Sequence, residues 1–222
     1  MKTRNLVLLT LLTCFTFSSC NKKELRSDIQ EFVSDFKLET AVEHYKKVEM
    51  NRVVETNDNG SLTKEIETLT FDINDVNKPL YHHQIDTYKG EELQNTSMSY
   101  LEHVDEKIYY VANSSTEEMS LEEAHNLIKS FFYSKTYLDG QYHDRGYYYG
   151  DILLNNIYEY QNFVTINEEQ TLLTIEISRT QDGVLRKSKI VVDKFGMIVQ
   201  NIASAKRDNQ ESTTTISIKH YE

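Results

Sequence analysis

The chain has 222 residues, with 24 lysines and arginines against 35 aspartates and glutamates, giving a formal charge of −11. Such a surface repels phosphates, so nucleic acid is not an expected partner, and no polybasic stretch draws the chain to anionic lipid. One proline and seven glycines exclude a collagen-like or low-complexity chain and favour long uninterrupted elements.

At the N-terminus, Lys2 and Arg4 precede a compact apolar run from Leu6 through Leu12 to Phe15 and Phe17. The run ends in Ser18 and Ser19, directly before Cys20. A charged head, an apolar run shorter than a bilayer span and a small-residue cut site read as a secretory signal. The stretch Phe17-Ser18-Ser19-Cys20 resembles the lipobox of bacterial lipoproteins. That resemblance implies removal of residues 1–19, diacylglycerol on the Cys20 thiol and fatty acyl chains such as palmitate at the new N-terminus. The alternative is an ordinary secreted protein with a chance cysteine. Polar Asn21-Lys22-Lys23-Glu24 follows the cysteine at once and favours the lipoprotein. A single acyl chain binds only marginally, at ~0.8 kcal/mol per buried methylene, so two or more chains would be needed to hold the domain. The expected location is the bacterial cell envelope, exported and anchored to the membrane. Cys14 falls in the removed segment and Cys20 carries lipid, which leaves the domain without a disulfide or a thiolate site. Residues 20–24 are then an acylated cysteine and polar tether, and residues 25–222 a single α+β domain.

Leu25, Ile29, Phe32, Val33 and Phe36 recur at helical spacing and predict an amphipathic helix over Glu24–Leu38, extending as far as Tyr45. The period then becomes two. Val48–Thr56 and Leu62–Ile73 flank Asn59-Gly60, a two-residue hairpin signal. A turn there sets Val48 opposite Phe71, Met50 opposite Leu69 and Val53 opposite Ile66, with Arg52 beside Glu67 and Glu55 beside Lys64. Apolar meets apolar and charge meets opposite charge, as cross-strand pairing favours. The apolar side changes faces between Met50 and Val53, which suits a bent or strongly twisted hairpin.

Past Pro79, Leu80–Tyr88 reads as a strand, and Met98–Val104 with Lys107–Val111 as a hairpin around Asp105-Glu106. Ser120 and Glu123 form a capping box that opens a second helix, with Leu121, Ala124, Leu127, Ile128, Phe131 and Phe132 on one face. Residues 134–160 are rich in tyrosine and glycine and read as a loop or lid, with a short helix or strand near Ile152–Tyr158. Thr171–Arg179 and Val184–Val192 pair around Asp182-Gly183, placing Leu173 opposite Val192, Ile175 opposite Ile190 and Glu176 opposite Lys189. One pair spoils that register, Arg179 against Arg186, and it lies close enough to the turn to splay into water. A turn at Asp193–Gly196 leads into Met197–Ala203, and Ser212–Tyr221 is the last strand.

Chemistry-bearing patterns are sparse. His82 and His83 point to opposite faces of a strand and cannot share an ion. His103, His125 and His143 have no helical zinc spacing. Acids are so abundant that a carboxylate pair carries little information. Nucleophile elbow, phosphate loop and dinucleotide fingerprint are missing, so neither an enzyme nor a metal or cofactor site is expected. Tyr147, Tyr148 and Tyr149 are a candidate contact loop for glycan, peptide or lipid head group. Equally, they are bulky residues filling volume in a chain without tryptophan.

The order of elements is a helix, long hairpins, a capped central helix and a terminal antiparallel meander. It resembles the LolA-like half-barrel of lipoprotein carriers and the LppX group of lipid-binding lipoproteins. The resemblance implies an α+β fold: a curved antiparallel sheet, a half-barrel of hairpins and a C-terminal meander, with two helices packed on one face. It further implies a lipid or amphiphile in a cavity between sheet and helices, for which Met50, Leu69, Phe71, Leu127 and Phe131 are the candidate lining. The other reading is a surface interaction protein with a filled core that binds protein or glycan.

Overall fold

The computed structural model describes residues 24–132, 137–138, 141–142, 147–148 and 150–221. Residues 1–19, read from the sequence as a signal, and Cys20, His143 and Tyr149 lie outside the described residues. The fold is α+β, as expected, and its frame is one open, curved antiparallel sheet of eleven strands. Those strands are β1 (Lys47–Asp58), β2 (Ser61–Asp72), β3 (Leu80–Lys89), β4 (Glu92–Val104), β5 (Lys107–Ala112), β6 (Ser115–Met119), β9 (Val164–Ile166), β10 (Leu172–Gln181), β11 (Val184–Asp193), β12 (Ile198–Arg207) and β13 (Gln210–Tyr221). Their order is β6-β5-β4-β3-β2-β1-β13-β12-β11-β10-β9. Two meanders are thus joined along one long-range seam, β1 against β13, in register from Lys47↔Tyr221 to Asp58↔Gln210. β7 (Tyr137–Leu138) and β8 (Gln141–Tyr142) form a separate pair.

Both glycine-turn hairpins have the register written in the sequence. Val48 faces Phe71, Met50 faces Leu69, Val53 faces Ile66, and the two charge pairs fall as expected. The β1–β2 ladder runs without a bulge, so the change of apolar side is not made by an inserted residue. Leu173, Ile175 and Glu176 likewise meet Val192, Ile190 and Lys189, and Arg179 does sit opposite Arg186, both exposed. At the Asp105-Glu106 turn no glycine is present, and Asp105 itself adopts φ 56°. Short polar side chains tolerate that left-handed region better than most.

Three departures have physical reasons. The N-terminal helix is two helices, α1 (Ser27–Phe32) and α2 (Leu38–His44). After Phe32, the Ser34 hydroxyl donates to the Glu31 carbonyl at 2.8 Å and the Ser34 N–H turns to the same oxygen, which competes with continued helix. Apolar positions Ile29, Phe32, Val33 and Phe36 are still buried together. Second, β6 was not anticipated, because Ser115-Thr116-Glu117-Glu118 has no apolar alternation; it is an edge strand whose charge discourages further pairing. Third, β4 begins at Glu92 and hairpins directly onto β3 through Gly90, at φ 61°.

The capped helix α3 (Leu121–Lys129) is as read: the Ser120 hydroxyl accepts from the Glu123 N–H, and the Glu123 carboxylate accepts from the Ser120 N–H at 2.8 Å. α4 (Gly150–Tyr160) spans the stretch read as a short helix or strand near Ile152–Tyr158, and a 3-10 turn (Gln161–Phe163) follows it. The helices cover one end of the sheet. Beneath α2, the end of α3 and Tyr147–Tyr148 lie Val48, Met50, Phe71, Met197, Ile198, Ile216 and Ile218. Beneath α1 and α4 lie Val164, Leu173, Ile175 and Val192. β1, β2 and β10 are buried toward that end and exposed at their glycine-turn tips.

Candidate functional site

Strand pairing defines the inner face. Because side chains alternate, the residues sharing a face with buried Val48 and Met50 are Arg52 and Val54 on β1, Leu69, Glu67 and Glu65 on β2, and Tyr81 and His83 on β3. Beyond the helices this face turns from apolar to charged. Arg52 Nη1 donates to Glu65 Oε1 and to Glu67 Oε2, each at 2.9 Å. His83 Nε2 meets the other Glu67 oxygen at 2.8 Å. The Glu67 side chain is only 17% exposed. Burial pushes its carboxyl up, but the hydrogen bonds and charge of His83 and Arg52 outweigh that and hold it below the usual carboxylate range. Both of its oxygens are engaged, so it is a fixed acceptor and not a free base.

Tyr81 packs where the core under the helices meets a small cluster of Leu101, Ile108 and Ala124. Its phenol is pushed up to about 12, first by burial and then by Tyr110 and Glu67, with a Ser99 hydrogen bond acting the other way. It therefore keeps its proton. Among the described residues, Arg52 makes these bonds through Nη1 alone, which leaves the rest of its guanidinium fork available. A charge cluster with spare donors beside half-buried apolar surface can grip a polar group next to a greasy one. It presents no activated nucleophile.

The five residues expected to line a cavity differ in how deeply they are buried. Met50, Phe71 and Phe131 are buried in the main core, and Phe71 also lines, with Val48, Tyr81 and Leu101, an open cavity of about 440 Å³. The Phe71 and Phe131 rings lie edge to face at 5.2 Å, and the Tyr147 hydroxyl reaches Met50 Sδ at 3.8 Å. Leu69 and Leu127 are half-buried at the margin of the packing, where the inner face opens. Tyr147 and Tyr148, taken as contact-loop residues, are 8% and 4% exposed. The loop is drawn into the core because Tyr147 N–H bonds the Phe131 carbonyl and its own carbonyl accepts from Ile198 N–H. Such backbone bridges fix both rings inward. Tyr149 lies outside the described residues.

His82 and His83 do point to opposite faces: His82 stacks on Tyr100 of the outer face, 22° from parallel. His103 and His125 bond the backbone carbonyls of Pro79 and Val76. The Arg52–Glu67–His83 cluster was missed as a site. Its signal was present, since the Arg52–Glu67 register was written down, but it was read only as strand pairing.

No protein-family model and no curated protein matches the chain. Solved structures that overlap it loosely include two proteins of unknown function. One is a DUF1329 family protein from Desulfovibrio piger ATCC 29098, 10% identical, covering 87% of this chain and 92% of that one, with a TM-score of 0.29. The other is a beta-barrel-like protein of domain of unknown function DUF1849 from Brucella abortus, 10% identical, covering 80% of this chain and 98% of that one, with a TM-score of 0.22. The half-barrel description rests on the sheet itself.

Proposed function

We propose that this protein is a non-enzymatic lipoprotein of the bacterial cell envelope, held to the membrane through acylated Cys20, which binds a lipid or other amphiphile on the inner face of its half-barrel. The observation that carries this reading is the boundary on that face. Half-buried Leu69, Tyr81, Tyr110 and Leu127 lie at the edge of the helices, and Glu67, Arg52 and His83 follow directly along the same face. An amphiphile has the same two-part character. Its apolar part would rest on the first group and its head on the second. Two carboxylates against one guanidinium disfavour an anionic head, so a hydroxyl-bearing or cationic one suits the cluster better. A ligand held between a curved sheet and its helices is also the arrangement that a LolA-like or LppX-type relationship implies.

Native mass spectrometry of the acylated chain extracted in mild detergent tests the reading. A co-purified amphiphile that is lost in Arg52→Ala supports it. A second reading, an interaction protein with a filled core, is favoured by the mutual packing of Met50, Phe71 and Phe131. An unliganded spectrum for both the parent and Arg52→Ala, in an otherwise folded protein, would sink the amphiphile reading in favour of this one.

A further inference from the structure

Three large apolar side chains stand in solvent at the place where the chain enters the domain. Leu154 and Tyr158, one helical turn apart on α4, are 37% and 52% exposed, and Phe163 on the adjoining 3-10 turn is 49% exposed. Their neighbours Leu153 and Ile157 are buried, so α4 is apolar on its inner face and again on part of its outer one. A helix that only covered a core would place polar residues there.

Arg26 fixes the geometry. Its guanidinium Nη1 donates to the carbonyls of Gln161 and Val164, both at 3.0 Å, on either side of Phe163. Asp28 holds the other side of the same guanidinium at 2.6 Å. The Arg26 N–H donates to the Gln161 side chain, whose amide nitrogen donates in turn to the Tyr158 carbonyl. Leu25 packs on the core cluster below. The chain is therefore pinned against the 3-10 turn beside Phe163 and Tyr158 before it leaves the domain.

Only five residue steps separate Cys20 from Leu25. Even fully extended, that length reaches about 18 Å. We infer that Leu154, Tyr158 and Phe163 form a membrane-docking patch that enters the interface of a zwitterionic bilayer while the lipid on Cys20 holds the chain there. The inference rests on the anchored-lipoprotein reading above. Tyrosine and phenylalanine suit the interfacial layer, where one end of a ring is apolar and the other wet. The formal charge of −11 makes zwitterionic lipid the matching surface, since anionic head groups would repel it. Docked in this way, the glycine-turn tips of the sheet point away from the bilayer, because the helices cover the opposite end of the strands.

The chain contains no tryptophan, so a single introduced one reports its own depth. Tyr158→Trp, Phe163→Trp and, at the far tip of β4, Leu93→Trp are made in the acylated full chain and mixed with phosphatidylcholine vesicles, plain or brominated in the acyl chains. In vesicle-bound protein, Tyr158→Trp and Phe163→Trp should both lose fluorescence to the brominated lipid, and Leu93→Trp should lose none. If the protein floats with the vesicles but either Tyr158→Trp or Phe163→Trp stays as bright as Leu93→Trp, docking is wrong and the anchor stands. Protein that does not float with the vesicles removes the anchor, and the docking with it.

Discussion

Asp193 is 5% exposed at the turn between β11 and β12. Its Oδ1 accepts from the Phe195 and Met197 N–H groups at 2.8 and 3.1 Å, and its Oδ2 has no partner among the described residues. Burial raises its pKa from 3.8 to about 6, against the backbone hydrogen bonds and Lys194 that pull it down. A folded-state pKa above the unfolded one means that the folded protein binds the proton more tightly. The contribution is fully present below about pH 4 and is lost as pH rises through about 6, a swing of about 3 kcal/mol. Asp193→Asn keeps the acceptor and removes the titration. Melting curves from pH 4 to 8 should show the parent losing stability relative to this variant across that window; parallel curves would reject the assignment. Arg52 makes the opposite case, since it holds Glu67 in its charged form. Arg52→Ala strands a mostly buried carboxylate with His83 alone and should cost about 1–2 kcal/mol in urea denaturation at neutral pH. Arg52→Lys should recover much of this, because Arg52 reaches both Glu65 and Glu67 through the single nitrogen Nη1, a role that an ammonium can take.

Among elements, the seam between β1 and β13 joins everything before α3 to everything after it, while β6 closes nothing. Proline removes a ladder donor wherever it falls, so its effect depends on the neighbours that lose a partner. Thr214, on β13 between β1 and β12, pairs with Val54 and Ala203. Thr214→Pro breaks pairing on a strand bonded on both sides and should lower the melting temperature markedly. Thr116→Pro on β6, which has a neighbour on one side only, should cost far less. Thermal unfolding followed by circular dichroism compares the two. Equal losses would mean that pairing on both sides of β13 contributes no more than the edge strand does. Hairpin registers were legible because Asn59-Gly60 and Asp182-Gly183 fix the turn and leave each strand one way to face its partner. The seam was not, since nothing local in Lys47–Asp58 or Gln210–Tyr221 names the other strand. β6 was illegible for a related reason: an edge strand needs no apolar face of its own.

At the scale of the whole molecule, the helices cover one end of a sheet that stays open, and this divides the inner face into packed core and charged margin. The sequence marked Met50, Phe71 and Phe131 as apolar and inward, and they are. How deeply such residues lie depends on the approach of α2, α3 and Tyr147–Tyr148 from the other side, which bury all three. Consequently the candidate site moves outward along the same strands, to half-buried residues that composition alone made unremarkable. The tyrosine-rich segment was divided in the same way. Its Tyr147 and Tyr148 became core through backbone bridges to Phe131, Phe132 and Ile198.

By itself, the sequence determined what short-range chemistry controls: the two glycine-turn registers, the Ser120–Glu123 cap and the acidic composition. Tertiary structure alone decided which meander meets which, where the first helix breaks, and which apolar faces are left uncovered. The physical reason is that turns and caps are settled by bonds between near neighbours. Burial instead depends on a surface contributed from a distant part of the chain, and residue type records only that some such surface is needed.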